Sequence, residues 1–366
     1  MISVLEAQKR IFDCAVRLSS QTIPVEHSLS YVLVNDVTAD RPIPPFNRVA
    51  MDGFAVKSSD FRSPTVKLKL RGKIQTGVET DLIIDKGEAV QIMTGAPCPE
   101  GADAVVKVEN SQTDGEWVTL TEPKMVTGLN IAPKGEDAAQ GKVLIKAGTA
   151  LTTAGIAICA SVGIAEVEVY RKPTIRIIST GTEIIPPGQT PLPHQIRDCN
   201  SFTLRAMSSG LNIKADFLGI GEDDTGVISQ MIKEGLKADI LILSGGVSMG
   251  EFDYVPKLLA KNGVETVFHH VKVKPGKPLW FGKKGSKTYV FGLPGNPVSV
   301  QTCFRVFVEP LIRKLAGNKT PESISLKLPL AEDVVSKTQR EHYMPGCFHV
   351  QDGKTHIKRI PIRGSG

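Results

Sequence analysis

The sequence offers neither a disulfide framework nor a thiolate metal site. Its six cysteines (Cys14, Cys98, Cys159, Cys199, Cys303 and Cys347) are scattered, with no C-x-x-C pair. That is the pattern of buried free thiols in a reducing compartment. Aromatic residues make up only 5% of the chain, and no reading helix or stacking platform is apparent, so no nucleic-acid partner is expected. The seven histidines make no metal spacing. His269 and His270 fall in a predicted strand, where neighbours point to opposite faces and chelate poorly. The most apolar stretch, 151–165, is interrupted by Thr152, Thr153 and Ser161 and is too short to span a bilayer, so no membrane partner is expected. The amino-terminal MISVLEAQKR has no secretory signal pattern, and a cytoplasmic protein is expected. A P-loop is missing, as is a G-x-S-x-G elbow, and Gly219-Ile220-Gly221 lacks a third glycine at dinucleotide-site spacing. Nucleotide hydrolysis on a P-loop, serine hydrolysis on an elbow and Rossmann binding are thereby excluded. One further absence is local. No acid occurs between Glu265 and Glu309, while Lys272, Lys274, Lys277, Lys283, Lys284, Lys287 and Arg305 lie inside that window. Such a patch suits a small anion or a phosphate far better than the mild overall charge of +6 indicates.

What is present is organised around ADILILSGGVSMGEFDY, residues 238–254. Asp239 to Leu243 reads as a buried strand of a parallel sheet. Ser244-Gly245-Gly246 breaks it, and the two glycines are expected to let backbone N–H groups turn toward a ligand. Ser248 adds a hydroxyl; Glu251 and Asp253 add carboxylates; a helix is predicted from Tyr254 to just before Gly263. Strand, glycine turn, acid and helix is how open α/β sheets build crevices at strand ends. STGTE (179–183) and Gly292-Leu293-Pro294-Gly295-Asn296-Pro297 have the same build.

The 366 residues exceed what one core usually holds. A first amphipathic helix is predicted over 3–20, capped by Ser3 with Glu6 at the capping-box position. An extended segment covers 23–38. RPIPPFNRVAMDGFAV (41–56) is stiffened by three prolines, and its Met51-Asp52-Gly53 turn holds one carboxylate. A β domain is predicted over 64–120. Within it Thr94-Gly95-Ala96 is a tight turn with a hydroxyl and free N–H groups, and the 131–141 loop carries Lys134, Glu136 and Asp137. A helix over 152–162 precedes a domain boundary at Tyr170-Arg171-Lys172-Pro173. From 174 strands and helices alternate: strands at 174–180, 212–220, 239–244, 264–273, 279–282 and 288–292, and helices at 200–210, 224–236, 254–262 and 297–316. This is a doubly wound α/β domain. Asn296 is read as an N-cap with Pro297 at the first helical position, a ready anion site. Residues 321–366 read as short strands of an incomplete domain.

The sheet-end loops collect carboxylates (Glu183, Asp198, Asp223, Asp224, Asp253), hydroxyls (Ser179, Thr180, Ser248, Ser299) and Lys274 and Lys277. Carboxylates beside phosphate oxygens are the usual holders of Mg²⁺, and lysines at a helix N-terminus suit a tetrahedral oxyanion. The residues themselves point to Mg²⁺-dependent chemistry on a phosphate or pyrophosphate compound with a second anion nearby. A solvated surface role is the competing reading for any one of these acids.

Eight segments carry a resemblance: PPFNRVAMDGFAV, QIMTGAPCPEGADAVV, PKGED, STGTE, RDCNS, LSGGVSMGEFDY, KVKPGKP and GLPGNPVS. In this order they resemble the molybdopterin molybdotransferases, the MoeA and gephyrin E-domain family, along essentially the whole chain. The resemblance implies a multidomain α/β plus β fold. A helical and extended connecting domain would take 1–44 and 141–172, and a β domain 45–140. A molybdopterin-binding-like α/β domain would take 173–320, and a partial β-barrel domain 321–366, the family continuing beyond the glycine–serine–glycine at 364–366. It implies a homodimer that inserts molybdate into adenylylated molybdopterin with Mg²⁺, releasing AMP and molybdenum cofactor. Glu183, Asp223 and Asp253 match the acids of the α/β crevice and its metal, and Asp52, Thr94 and Asp137 match residues reaching that crevice from the partner subunit. By the same resemblance Ser179, Thr180, Asp198, Asn200, Ser244, Gly245, Gly246, Ser248, Pro294, Asn296 and Pro297 hold the pterin substrate. Lys274, Lys277, Arg340 and Ser365 hold the oxyanion. The chain departs from the family pattern at Thr182, where aspartate is common, and at Asn47-Arg48-Val49, where Asp-Asn-Ser is common. An adenylyltransferase and a gephyrin-like scaffold are the alternatives. Against the first stand residues 41–140, which that class does not need; against the second stand the retained carboxylates and lysines.

Overall fold

The computed structural model describes residues 1–221, 224–246, 255–322, 325–336 and 338–361; of the sequence candidates, Asp223, Ser248, Glu251, Asp253 and Ser365 lie outside them. The chain forms two compact units. One comprises Met1–Asn35, Ala147–Ile156 and Glu166–Gly366, the other Asp36–Lys146 and Ala157–Ala165.

The first unit is built on a six-stranded sheet ordered Ala215–Gly221, Ile175–Thr180, Ile240–Ser244, Thr288–Leu293, Trp280–Lys284, Glu265–His269. The first four strands are parallel, and the last two pairings are antiparallel. The uninterrupted apolar run 240–243 now has its reason. Ile240 and Ile242 pack on one face with Phe281, Phe291 and Phe304, while Leu241 and Leu243 pack on the other with Ile228, Ile232 and Leu259. A strand covered on both faces needs no polar alternation. Asp239 anchors its start: Arg171 grips the carboxylate with two bonds of 2.7 and 2.8 Å, and Thr174 adds its N–H and hydroxyl at 2.8 Å each. Burial alone would raise the Asp239 pKa, but these bonds outweigh it and hold the carboxyl below its usual range.

The helices follow the sequence with two instructive differences. Ser3 caps the first helix, accepting from the Glu6 N–H at 3.1 Å. The helix ends at Cys14 rather than near residue 20. Tyr289 explains the early stop, since its hydroxyl accepts from the Val16 N–H at 2.8 Å and donates to the Cys14 carbonyl at 3.1 Å. A distant side chain thus does the work of the next helical turn. The long helix predicted over 297–316 runs as Pro297–Cys303, a π-helical stretch Phe304–Val308, and Glu309–Leu315. Pro310 has no N–H to give the Val306 carbonyl four residues back, and Gln8 of the first helix donates to that carbonyl instead, at 3.0 Å.

The strand predicted over 264–273 also divides. It stops at His269, His270 adopts φ 71°, and pairing resumes at Val273–Lys274. The two histidine rings therefore do not face opposite sides; they stack at 3.9 Å. Val273–Lys274 pairs in parallel with Glu341–His342, and Gly346–Gln351 forms a hairpin with Lys354–Arg359.

The second unit holds another six-stranded sheet, ordered Ala104–Lys107, Gly53–Val56, Glu88–Ile92, Thr65–Ile74, Trp117–Thr121, Ser111–Asp114. Ala55, Val90 and Val105 fill one face and Phe54, Val56, Val106 and Leu120 the other. Gly53 is where two backbones meet: a Cβ there would lie 1.9 Å from the Val106 carbonyl oxygen.

Candidate active site

In an open α/β sheet ligands gather at the carboxyl ends of strands where the strand order reverses. Here Ile175–Thr180 lies between Ala215–Gly221 and Ile240–Ser244, so the reversal falls beside Thr180 and Ser244. A cleft of about 300 Å³ opens there, lined among others by Ser179, Thr180, Glu183, Asp198, Asn200, Ser244, Gly245, Asn296 and Pro297. Its walls are tied together by side chains. Buried Asp198 accepts from the Ser179 hydroxyl at 3.0 Å and from the Ser201 N–H at 3.1 Å. Asn200 donates to the Ser244 hydroxyl at 2.9 Å and to the Gly295 carbonyl at 2.7 Å, joining three motifs through one amide. Asn296 caps its helix as read, accepting from the Ser299 N–H at 3.1 Å.

Several details differ from the sequence reading. Gly245 is required, because φ is 94° and a Cβ would fall 2.4 Å from the Thr180 carbonyl oxygen. Its N–H, however, donates to the Leu293 carbonyl at 3.1 Å, so the glycine pair does not present both N–H groups to a ligand. Asp224 spends its carboxylate capping the next helix, at 2.7 and 2.9 Å from the Gly226 and Val227 N–H groups. Pro294 is buried and does not line the cleft.

A second pocket, of about 630 Å³, lies in the same unit. Lys274, Lys277, Arg340 and Arg359 line it together with His342 and Tyr343, and among the described residues no carboxylate does. Arg340 is set by a 3.3 Å bond to the Val273 carbonyl, and the Tyr343 N–H donates to the Lys274 carbonyl at 2.8 Å. Pro297 lines the first cleft and Val298 the second, so one helix start separates them. Arg359 and His342 were not singled out in the sequence. Their signal was faint, since each is one basic residue in a short strand.

In the other unit Asp52 and Thr94 meet: the Thr94 N–H and hydroxyl both donate to one Asp52 oxygen, at 2.6 and 2.7 Å. The Gly95 and Ala96 N–H groups donate to Val49 and Met93 carbonyls. The N–H groups of this turn are therefore used internally, not free as expected. The Asp137 N–H donates to Ile43 at 2.9 Å and that of Gly135 to Pro44 at 2.9 Å, which knits the 131–138 loop to the proline-stiffened segment. The Thr94 N–H, then its hydroxyl, lower the pKa of Asp52 below the carboxylate norm. The resulting stabilisation is present above the unfolded carboxyl pKa and is lost as the pH falls through the folded value. Thr94→Val, which removes the hydroxyl bond and keeps the N–H, is expected to move the Asp52 titration part of the way back toward the usual carboxylate range. Carboxyl-carbon NMR against pH reads this directly, and an unmoved titration would show that the hydroxyl contributes nothing.

A doubly wound sheet with a polar cleft at its switch point, one helix start away from a pocket lined by four cationic side chains, defines the class: an α/β protein with a ligand cleft at the strand ends. Residues 2–163 match the family model of the MoeA N-terminal region (domain I and II), and residues 176–314 that of a probable molybdopterin-binding domain. The molybdopterin molybdenumtransferase of Bacillus subtilis is 34% identical over 96% of this chain and 84% of its own. The enzyme of that name from Staphylococcus aureus is 34% identical over 91% of this chain and 80% of its own. Two crystal structures of Pyrococcus horikoshii molybdopterin biosynthesis MoeA protein superpose with TM-scores of 0.79 and 0.83, at 31% and 27% identity, over 100% of this chain and 91% of theirs. The chain belongs to the MoeA family of molybdopterin molybdenumtransferases.

Proposed function

We infer that this protein is a transferase of molybdenum cofactor biosynthesis that inserts molybdenum into molybdopterin. The observation that carries the reading is the adjacency of the two sites across Pro297 and Val298, in a chain of this family. The switch-point cleft takes adenylylated molybdopterin, with Asn200, Ser244 and Asn296 orienting it. The cationic pocket takes molybdate as substrate, held by Lys274, Lys277 and Arg340 through charge-assisted bonds. AMP leaves as the phosphoanhydride is cleaved. Neither the adenylyltransferase nor the scaffold reading is favoured, because the curated relatives matched along most of the chain carry the transferase name.

Mg²⁺ is part of the proposal. Among the described residues no group of three or more His, Cys, Asp or Glu could hold a metal by itself. Mg²⁺, however, commonly uses one or two carboxylates with substrate phosphates and water, and Glu183 lines the cleft where such phosphates would sit. Glu183 fits as one holder, with Asp223 and Asp253 proposed alongside it. When bound, the ion would neutralise charge on the phosphoanhydride. A homodimer in which Asp52, Thr94 and Asp137 serve the partner's cleft, the four-part domain division and a cytoplasmic location belong to the same proposal. Among the described residues no helix is long and apolar enough to cross a membrane.

The test is AMP release from adenylylated molybdopterin with Mg²⁺, with and without molybdate. Molybdate-dependent release is the expected result. Release of AMP indifferent to molybdate, or none at all with pterin still bound, would contradict it.

A further inference from the structure

The cationic pocket contains a group that the four permanent charges do not account for. His342 is the register partner of Lys274 where the two short strands pair, and it lines the pocket with Lys277, Arg340 and Arg359. The Ser336 hydroxyl lies 3.0 Å from its Nδ1, which leaves Nε2 as the nitrogen available to a ligand. We propose that His342 is a proton-linked ligand of the oxyanion, binding it as the imidazolium and taking up one proton from solvent as the anion enters, with Arg359, which lines the same pocket, as an additional cationic ligand. The proposal rests on reading this pocket as the oxyanion site.

The electrostatics support the coupling. Partial burial, and then the charges of Lys274, Arg340 and Arg359, hold the free imidazole below its usual range. The groups around it are those three cations and Lys277 from the pocket wall, the Ser336 hydroxyl, and the adjacent Tyr343, whose hydroxyl is bonded to Glu341. Among the described residues no lining carboxylate offsets the cations. A neutral imidazole at rest limits repulsion among five basic groups. A dianion offsets the cationic part of that depression and pairs with the imidazolium, so the pKa rises on binding and a proton is taken up. Anion affinity should therefore strengthen as the pH falls, by at most about tenfold per pH unit for one linked proton.

Calorimetric titration of molybdate into the full chain, between about pH 5 and 8 and in buffers of different ionisation enthalpy, counts the protons exchanged. Sulfate serves as a dianion probe whose own charge is constant over that window. The wild-type protein is expected to take up a proton with either anion. His342→Gln should still bind with weakened affinity but take up none, and its affinity should lose most of its pH dependence. Arg359→Gln should weaken binding and reduce the uptake, because the free imidazole is then less repelled. Two outcomes overturn the inference and are distinguishable. If Lys277→Ala binds molybdate as the wild type does, the pocket is not the oxyanion site and the inference falls with that reading. If Lys277→Ala weakens binding but His342→Gln takes up as many protons as the wild type, the pocket stands and His342 is not the linked group. Histidine NMR titration with and without molybdate guards against a misfolded variant, because it observes the wild-type ring itself.

Discussion

Asn200→Ala is expected to lower molybdate-dependent AMP release by about 100-fold, the scale on which small misplacements of reacting groups act. The amide donates to the Ser244 hydroxyl and to the Gly295 carbonyl, so a single side chain links the strand end at Ser244 to the turn that leads into the helix at Asn296. Asn200 and Ser244 are both buried. Removing it takes a partner from the buried Ser244 hydroxyl and should also cost about 1–3 kcal/mol of stability. The measurement is turnover together with denaturant unfolding of the same preparation. Asn200→Asp separates position from chemistry. An aspartate of the same shape cannot donate, so it should fail at least as badly as alanine. An active aspartate variant would mean that the two donated bonds are not what organises the cleft.

Lys277→Ala is expected to raise the molybdate concentration for half-maximal turnover by about 10- to 100-fold, the equivalent of one charge-assisted hydrogen bond of about 1.5–3 kcal/mol. Its backbone carbonyl accepts from the Val271 N–H at 3.0 Å, and alanine preserves that bond, so the loop should keep its form. The turnover rate at saturating molybdate should change little, because the lost contact is to the bound anion and not to the phosphoanhydride. Lys277→Arg keeps the charge but changes its geometry, and should recover part of the affinity. Molybdate dependence unchanged in the alanine variant would remove Lys277 from the site.

How much of this was legible beforehand can be read from particular residues. The strand at 240–244, the cap at Asn296 with Pro297 behind it, the cap at Ser3 and the helix beginning at Asn200 all follow from local rules: apolar runs, side-chain acceptors for orphan N–H groups, and the fixed φ of proline. The KVKPGKP motif carries Lys274 and Lys277, which line one pocket together with Arg340. Long-range effects were not legible. The end of the first helix is set by Tyr289, nearly the whole chain away in sequence, and the π-helical stretch is supported by Gln8 filling the carbonyl that Pro310 vacates. Local pattern carries no record of such partners.

By itself the sequence determined the element order, the doubly wound character of the larger unit, the family and most of the residues that line the switch-point cleft. These are encoded in periodicity, in glycine and proline placement, and in ordered motifs, all of which act over a few residues. Only the tertiary structure decided that Asn200 joins three motifs, that Gly245 and the 94–96 turn spend their N–H groups inside the fold, and that His342 and Arg359 enter the cationic pocket. Those outcomes depend on which strands become neighbours, and strand pairing brings together residues that no local spacing relates.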